Sequence, residues 1–348
     1  MSSGTTPRLR AHHFGPAADE VGGMATVLST LAEHRIGADE VTLHATWSMH
    51  SRARTAALAA GALGTILRLP RDAIVHVHLS ERGSFVREGA LVLAARRRGL
   101  RTAVTLHGAD FVAFTDERRG LVSRVLRGAH LITALSSDYV ALVESLAPAS
   151  TTAVVPNPVL VDPPEAAGAQ TPPAALFTGE IGVRKGVDVL LRAWPQVRDG
   201  LPEATLTLVG PGTDLVVDPQ PGLTVLAPVE QRRVRELVRA ARLVVLPSRA
   251  EALPMTLLES MACARPFIST PVGGIASLAD GGRLVPVGDD AALAGALLEL
   301  LRDRDAADDL GRRGRDACAA TRGVDVVDRR LRELYTALPV SGRASAAR

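Results

Sequence analysis

The stretch from Leu243 to Gly274 constrains the fold of this chain more than any other. Its opening apolar run, Leu243–Leu246, has the composition of a buried parallel strand. A loop through Glu251 follows, and Pro254 then predicts a helix start, since proline at a first helical position loses no hydrogen bond. Pro266–Thr270 is predicted to be the next strand. This order of elements predicts a parallel α/β unit that binds an anion at free helix amides.

Two carboxylates flank the start of this helix, which is predicted to end near Ala264. Glu259 lies about a turn and a half into the helix, near enough to hold two adjacent hydroxyls of a ribose whose phosphate meets the amides. Glu251, before the helix, is placed to reach another polyol. The alternative, that both are solvated acids, stays open. The predicted anion-binding backbone consists of Leu253, Pro254, Met255 and Thr256.

Two cations precede another predicted helix in the second half of the chain. The strand Ala175–Thr178 is followed by the loop Gly179–Gly186, in which Gly179 opens the turn and Arg184 and Lys185 precede the helix. Cations that meet free amides can neutralise a diphosphate leaving group, which is electrostatic catalysis. The alternative interpretation is a solvated Arg-Lys pair.

In the first half of the chain, His107 follows the predicted strand Thr102–Leu106. Ligands of open α/β sheets bind at this carboxyl edge, and a histidine there is suited to hydrogen bonding or proton transfer. The alternative is a structural histidine satisfied by backbone. Gly22 and Gly23 open an earlier helix, where a glycine pair lets backbone approach a phosphate, although most such pairs are only turns.

Composition excludes several classes of protein. The 40 Lys and Arg against 37 Asp and Glu make too small an excess to argue for nucleic-acid binding. Cys263 and Cys318 fit reduced, buried thiols, and no spacing of His and Cys is typical of zinc. Asp303-Arg304-Asp305 has the spacing of a DxD metal motif, but it follows a charged helix end and not a strand, so we predict solvated surface there. We therefore expect no metal.

The amino-terminal segment lacks the apolar core of a signal peptide, and Ala56–Leu69 is too short to span a bilayer. A cytoplasmic protein is therefore expected, with peripheral contact at the inner face of a membrane left open. Its 348 residues suit two domains, and the proline- and alanine-rich segment Asp162–Pro173 is the expected linker. The predicted fold class is α/β, with strands alternating with helices in both halves.

The spacing of Glu251 and Glu259 within PSRAEALPMTLLESMACARPFISTPVGG resembles the signature of retaining GT-B glycosyltransferases of family four, in a polysaccharide-biosynthesis-like branch. The resemblance implies the GT-B fold, with two doubly wound Rossmann-like domains facing across a cleft. It implies an acceptor-side domain over 1–165, a nucleotide-sugar domain over 174–320, and a terminal helix over 321–340 that crosses back. It also implies that Gly22 and Gly23 face the donor diphosphate, that His107 contacts the donor sugar, and that Val229 holds the base.

The resemblance implies a retaining hexosyltransferase that uses a nucleotide-diphosphate sugar, such as a UDP or GDP sugar, and needs no cofactor or metal. The expected partners are this donor and a carbohydrate or lipid-linked acceptor. Glu180 departs from the commonest family pattern, which has arginine at this position, so Arg184 is predicted to supply the missing charge. Two alternatives stay open, a nucleotide-sugar 2-epimerase of the same architecture and a non-catalytic nucleotide-sugar-binding partner in polysaccharide assembly.

Overall fold

A computed structural model describes residues 8–20, 22–163 and 171–339 of the chain. Its described residues form two compact units. The first unit contains residues 8–20, 24–158 and 324–339, and the second contains 22–23, 159–163 and 171–323. Of the predicted linker, residues 164–170 lie outside the described residues.

The first unit contains a six-stranded parallel sheet. Its strands are β1 (Arg10–Pro16), β2 (Glu40–Trp47), β3 (Ile74–Leu79), β4 (Arg101–Leu106), β5 (Leu131–Ala134) and β6 (Thr151–Val154). They lie in the order β2-β1-β3-β4-β5-β6. Every residue of β3, β4 and β5 is buried, as expected for parallel strands covered on both faces.

Helices connect the strands of this unit. They are α1 (Gly23–Glu33), α2 (Arg52–Arg68), α3 (Arg82–Arg97), α4 (Phe111–Leu126) and α5 (Val140–Leu146). The start of α2 is fixed by Ser51, whose side chain accepts a hydrogen bond from the amide of Arg54. Among the residues that the structure describes, no helix is both long and apolar enough to cross a membrane.

The second unit contains another six-stranded parallel sheet, in the order β12-β11-β10-β7-β8-β9. Its strands are β7 (Ala174–Thr178), β8 (Thr205–Val209), β9 (Leu223–Leu226), β10 (Leu243–Leu246), β11 (Phe267–Ser269) and β12 (Gly282–Leu284). Its helices are α6 (Val187–Gly200), α7 (Gln231–Ala240), α8 (Met255–Ala262), α9 (Asp290–Arg302) and α10 (Arg304–Arg322). The predicted α/β class, with strands and helices alternating in both halves, is confirmed.

The last helix, α11 (Val324–Thr336), belongs to the first unit. The amide of Gly37 donates to Asp328 at 2.7 Å, and Tyr335 is fully buried with its hydroxyl hydrogen-bonded to His76. Residues more than 250 positions apart in the sequence therefore share one core.

Two local predictions were wrong. Pro254 is the residue before α8, with φ −71° and ψ 124°, and so is not helical. The helix ends at Ala262 rather than near Ala264, because Ala264 has a φ of +53° that an α-helix cannot include.

The acidic pair Asp303 and Asp305 lies at the junction of α9 and α10, where Asp303 accepts from the amide of Ala306 and caps α10.

Candidate functional site

The loops that follow β7 and β10 leave the second sheet side by side. The two strands are hydrogen-bonded neighbours, with Leu243 beside Ala175 and Val244 beside Leu176. Because parallel strands end at the same edge, the loop of residues 179–186 meets the loop of residues 247–254. The predicted cations and the first predicted carboxylate therefore meet at this edge.

Lys185 and Glu251 form an ion pair between these two loops. Lys185 Nζ lies 2.5 Å from Glu251 Oε1, and Ser248 Oγ donates to the same oxygen at 2.7 Å. Both side chains are largely buried, at 16% and 7% exposure. Burying two charges costs desolvation free energy that their attraction need not repay, so such a pair is not explained by fold stability alone. We therefore treat Lys185 and Glu251 as candidates for function.

A second ion pair fixes the loop that carries Lys185. Arg249 donates to both carboxylate oxygens of Asp188, at 2.7 and 2.8 Å, and its backbone amide donates to the carbonyl of Arg184 at 2.9 Å. The hydrogen bonds from Arg249 hold the pKa of Asp188 below its usual value. This bidentate contact joins the loop after β10 to the first turn of α6, and so positions Lys185.

Arg184 points to a different partner from Lys185. Its guanidinium donates to Glu180 at 3.0 Å, and the pair is partly exposed, at 42% and 34%. Glu180 also accepts from Thr213 Oγ1 at 3.4 Å. Glu180, which departs from the pattern of the resembled family, is thus paired with Arg184, which is predicted to compensate for it, and the compensation itself stays a prediction.

The start of α8 lies beside β7. Thr256 Oγ1 lies 3.0 Å from Thr178 Oγ1 and donates to the carbonyl of Thr178 at 3.2 Å. The amides of Met255 and Thr256 belong to the first turn, where no intrahelical acceptor exists. Leu253, Pro254 and Met255 are buried. A helix start whose first amides lack an intrahelical acceptor is therefore present one residue after Pro254, and its role in binding an anion stays a prediction.

Glu259 is buried in the middle of α8, at 5% exposure. Gln231, the first residue of α7, donates from its side-chain amide to Glu259 Oε1. Burial raises the pKa of Glu259 to about 7, although Gln231 and the charge of Arg235 act in the opposite direction. The carboxyl group is therefore poised to lose its proton when a ligand donates hydrogen bonds to it.

This raised pKa predicts pH-dependent binding. A ribose whose hydroxyls donate to Glu259, as the sequence leads us to expect, would favour its carboxylate, so nucleotide binding should weaken as the pH falls below about 7. Affinity for a nucleotide-diphosphate sugar should fall about tenfold between pH 8 and pH 6, since the ionised fraction falls by about that factor. Calorimetric titration should use the sugar-linked donor, because the terminal phosphate of a free diphosphate also titrates near pH 6. A Glu259→Gln variant should lose this pH dependence, and an equally steep profile in the variant would contradict the assignment.

Gly186 allows the two loops to approach each other. Its φ is +73°, and a Cβ atom at this position would lie 1.9 Å from the carbonyl oxygen of Pro247. Only glycine accommodates both the left-handed backbone and this contact. The close approach places the neighbouring Lys185 beside the loop that carries Glu251.

We expect Gly186→Ala to lower the free energy of unfolding by more than about 2 kcal/mol, because left-handed strain alone costs about 1–2 kcal/mol and the backbone contact must also open. Gly288→Ala is the matched control, since its φ is +81° but nothing lies within 4 Å of the added Cβ. Urea denaturation followed by tryptophan fluorescence measures the loss, with both variants made in a Trp47→Phe background so that the signal comes from Trp194, which is buried in α6 of this unit. Equal losses in the two variants would contradict the role of the close approach.

Four predicted residues remain, one in the loop after β7, one just before α7 and two at the beginning of α1 or directly before it. Val229 is half-buried in the segment between β9 and α7, two residues before Gln231. Gly179 directly follows β7, with a φ of +142°. Gly22 has a φ of +152°, and Gly23 is the first residue of α1. The roles given to these residues stay predictions.

His107 lies in the first unit, directly after β4. Its amide donates to the carbonyl of Leu79 at 2.8 Å, and its Nε2 lies 2.8 Å from Nδ1 of His78. Burial lowers the pKa of His107 to about 4, so the imidazole is neutral at pH 7. A neutral imidazole can donate or accept a hydrogen bond but carries no charge to offset a phosphate.

The structure adds three residues that sequence reasoning missed, Gln231, Asp188 and Arg249. Their signal in the sequence is weak, since glutamine at a helix start and an isolated ion pair are common at surfaces. The pairing of Arg249 with Asp188 depends on the adjacency of β7 and β10. Gln231 gains meaning only because α7 brings it to Glu259.

The sequence of the second unit matches a known family. Residues 172–303 match the family model of the glycosyl transferases group 1. This segment includes Lys185, Glu251 and Glu259, and therefore the whole cluster described above. The predicted resemblance is confirmed for this part of the chain.

Curated relatives match the chain over part of their length. D-inositol 3-phosphate glycosyltransferase of Streptomyces avermitilis is 34% identical over 188 residues, which cover 47% of this chain and 39% of that protein. Phosphatidyl-myo-inositol mannosyltransferase of Mycobacterium leprae is 34% identical over 164 residues, covering 43% of this chain and 44% of that protein. The match thus spans less than half the length of either relative.

Solved structures match nearly the whole chain. Sucrose-phosphate synthase from Thermosynechococcus elongatus has a TM-score of 0.72 at 18% identity, covering 94% of this chain and 98% of that one. HepE of Anabaena, solved in complex with UDP and glucose, has a TM-score of 0.72 at 16% identity, covering 95% and 100%. At such identities the likeness establishes the fold. Residues 172–303 are therefore similar to the glycosyl transferases group 1, and the chain has the GT-B fold.

Proposed function

We propose that this protein is a retaining glycosyltransferase that moves a hexosyl group from a uridine or guanosine diphosphate sugar to a hydroxyl group of a carbohydrate or lipid-linked acceptor. The observation that carries the proposal is the buried pair of Lys185 and Glu251 at the sheet edge where α8 begins. The pair lies within the segment that matches the glycosyl transferases group 1.

The diphosphate of the donor would bind between Lys185 and the amides at the start of α8. A buried lysine whose partner is a single carboxylate can exchange or share that partner with a phosphate, and the helix amides add partial positive charge. Gly22 and Gly23 would approach the same diphosphate through backbone. Arg184 would also contact the diphosphate after breaking its ion pair with Glu180, which has an N–O distance of 3.0 Å.

The nucleoside would bind farther along α8. Glu259, which is buried and already accepts a hydrogen bond from Gln231, would accept the two ribose hydroxyls. Val229, in the segment just before α7, would hold the base through backbone contacts. These positions follow one another from the phosphate end of α8 toward α7.

In the transfer step the bond between the anomeric carbon and the donor phosphate oxygen breaks, and the acceptor oxygen bonds to that carbon. The acceptor's proton passes to the departing phosphate oxygen, so charge and atoms balance. Attack on the face that the leaving group vacates retains the configuration. We assign Glu251 to binding one hydroxyl group of the donor sugar and His107 to binding a second one. Lys185 and Ser248 already hold Oε1 of Glu251 in place for this contact.

The proposal assigns the electrophilic role to Lys185 and Arg184, and it therefore requires no divalent metal or cofactor. Activity should persist in excess EDTA. Loss of activity in EDTA, restored by Mg²⁺, would contradict this part of the proposal.

Product analysis with the full chain tests the reaction itself. The protein is incubated with a UDP or GDP sugar and a candidate acceptor. Inositol 3-phosphate and phosphatidylinositol are tested first, because the names of two relatives refer to these compounds. The expected product is a glycoside with the anomeric configuration of the donor, resolved by NMR. An epimerised donor formed without acceptor would instead identify an epimerase. Donor binding without turnover against every acceptor would favour a non-catalytic binding partner.

A further inference from the structure

A line of three histidines runs from the interior of the first sheet to His107. Nδ1 of His13 on β1 lies 2.9 Å from Nε2 of His78 on β3, and Nδ1 of His78 lies 2.8 Å from Nε2 of His107. His13 and His78 are buried, at 0% and 2% exposure. Two successive imidazole–imidazole hydrogen bonds therefore connect the sheet core to the residue that follows β4.

All three rings are neutral near pH 7. Burial lowers the pKa of His13 to about 3 and that of His107 to about 4, and burial also holds the pKa of His78 well below its usual value. A neutral imidazole has one N–H donor and one acceptor nitrogen. The protons in the line must therefore all point in the same direction, either toward His107 or away from it.

The inner end of the line selects the direction. Nε2 of His13 is buried without a hydrogen-bond partner. If the protons pointed inward, that atom would carry an N–H with nothing to donate to. If they point outward, it carries only an unused lone pair, which proteins tolerate better than an orphaned N–H. The outward direction places the proton of each of the three rings on Nδ1.

We propose that His78, held in turn by His13, is a positioning residue that fixes His107 as its Nδ1–H tautomer, so that His107 donates a hydrogen bond to a hydroxyl oxygen of the bound sugar. This inference rests on the proposed function for the identity of the ligand. The direction of the histidine line rests on the geometry of the first unit alone.

A metal site is the competing explanation of this cluster. Single nitrogens of His13, His76 and His78 lie within 4.8 Å of one another. However, His76 is engaged at both nitrogens, by Tyr335 and, at 2.6 Å, by Thr105, and both nitrogens of His78 belong to the line. The rings of His76 and His78 are stacked 9° from parallel at 4.7 Å, whereas shared ligation needs their nitrogens to converge on one point. The hydrogen-bonded line therefore accounts for the cluster better.

The direct test is the tautomeric state of His107, read by NMR of ¹⁵N-histidine-labelled full chain, with assignment by the loss of signals in single variants. We expect His13, His78 and His107 all as Nδ1–H tautomers. Finding His107 as the Nε2–H tautomer overturns the proposal whether or not the protein is a transferase. Stoichiometric Zn²⁺ binding that shifts the ring signals of His13, His76 and His78 together would also overturn it.

Variants at His78 test the consequence. His78→Phe removes the donor to His107, which should move His107 toward the Nε2–H tautomer and lower kcat/KM for the donor sugar about tenfold. His78→Asn retains an amide N–H near the position of Nδ1, so it should restore much of the Nδ1–H tautomer of His107 and much of kcat/KM. His12→Phe is the matched control, since His12 is the neighbouring histidine on β1 and pairs with His44 at 3.0 Å instead. An unchanged tautomer in His78→Phe contradicts the proposal. If that variant does not fold, the tautomers of the wild-type chain and of His78→Asn decide.

Discussion

Lys185→Ala is expected to lower kcat about a hundredfold to a thousandfold, the usual effect of removing one preorganised group that stabilises transition-state charge. Lys185 Nζ lies in a largely buried site, 2.5 Å from Glu251. Bulk water has little access to this site, so solvent cannot readily take over the stabilising effect of the lysine's charge. The measurement is steady-state turnover of a nucleotide-diphosphate sugar. Arg283→Ala, which removes an exposed pair with Glu299 on the same unit, should leave turnover unchanged.

A loss of stability in Lys185→Ala must be separated from a loss of catalysis. Removing the lysine leaves Glu251 buried without its cation, which can cost about 3–5 kcal/mol of folding free energy. The double variant Lys185→Ala/Glu251→Gln removes both charges, so its stability should recover while its turnover stays low. Near-normal turnover in a folded Lys185→Ala variant would refute the role given to this lysine.

Glu259→Gln is expected to weaken nucleotide binding about tenfold to a hundredfold, because hydrogen bonds to a charged group contribute about 1.5–3 kcal/mol. The substitution keeps the shape of the side chain and an oxygen that can accept from Gln231, so the fold of α8 should persist. Calorimetric titration with the nucleotide that binds the wild type best gives the affinity. Glu236→Gln, an exposed position on α7, is the control, and equal affinities in all three proteins would exclude Glu259 from the ribose site.

The strands that the sequence predicted best are those that are buried on both faces. Leu243–Leu246 is short, apolar and wholly buried, so composition alone indicates it. In contrast, β2 was not predicted, because Glu40–Trp47 mixes charged, polar and apolar residues and is mostly half-buried. As an edge strand it pairs only with β1 in the described sheet, and tertiary context rather than composition decides its conformation.

For the candidate site, the sequence predicted residue types and spacing but not which groups pair. Lys185 and Glu251 were each predicted to contact the donor, yet their mutual contact depends on the adjacency of β7 and β10 and on the close approach at Gly186. Likewise, the two alternating histidines of β3, His76 and His78, match no pattern of ligand spacing in the sequence, so the sequence indicated no role for them. His78 gains a role because β1 and β3 are neighbours in the sheet, which brings His13 to His78. Such pairings between distant segments follow from the sheet order, which local sequence does not encode.

The measurement that tests the central claim most directly is a thermal-shift titration of the full chain with UDP, GDP, ADP and dTDP, each with and without Mg²⁺. A ligand that binds only the native state raises the melting temperature with occupancy, and one at a hundred times its Kd stabilises by about 2.7 kcal/mol. We predict that UDP or GDP stabilises the wild-type chain without Mg²⁺ and stabilises Glu259→Gln much less. No shift with any of the four nucleotides would contradict a nucleotide-sugar site at α8, and with it the proposed transferase.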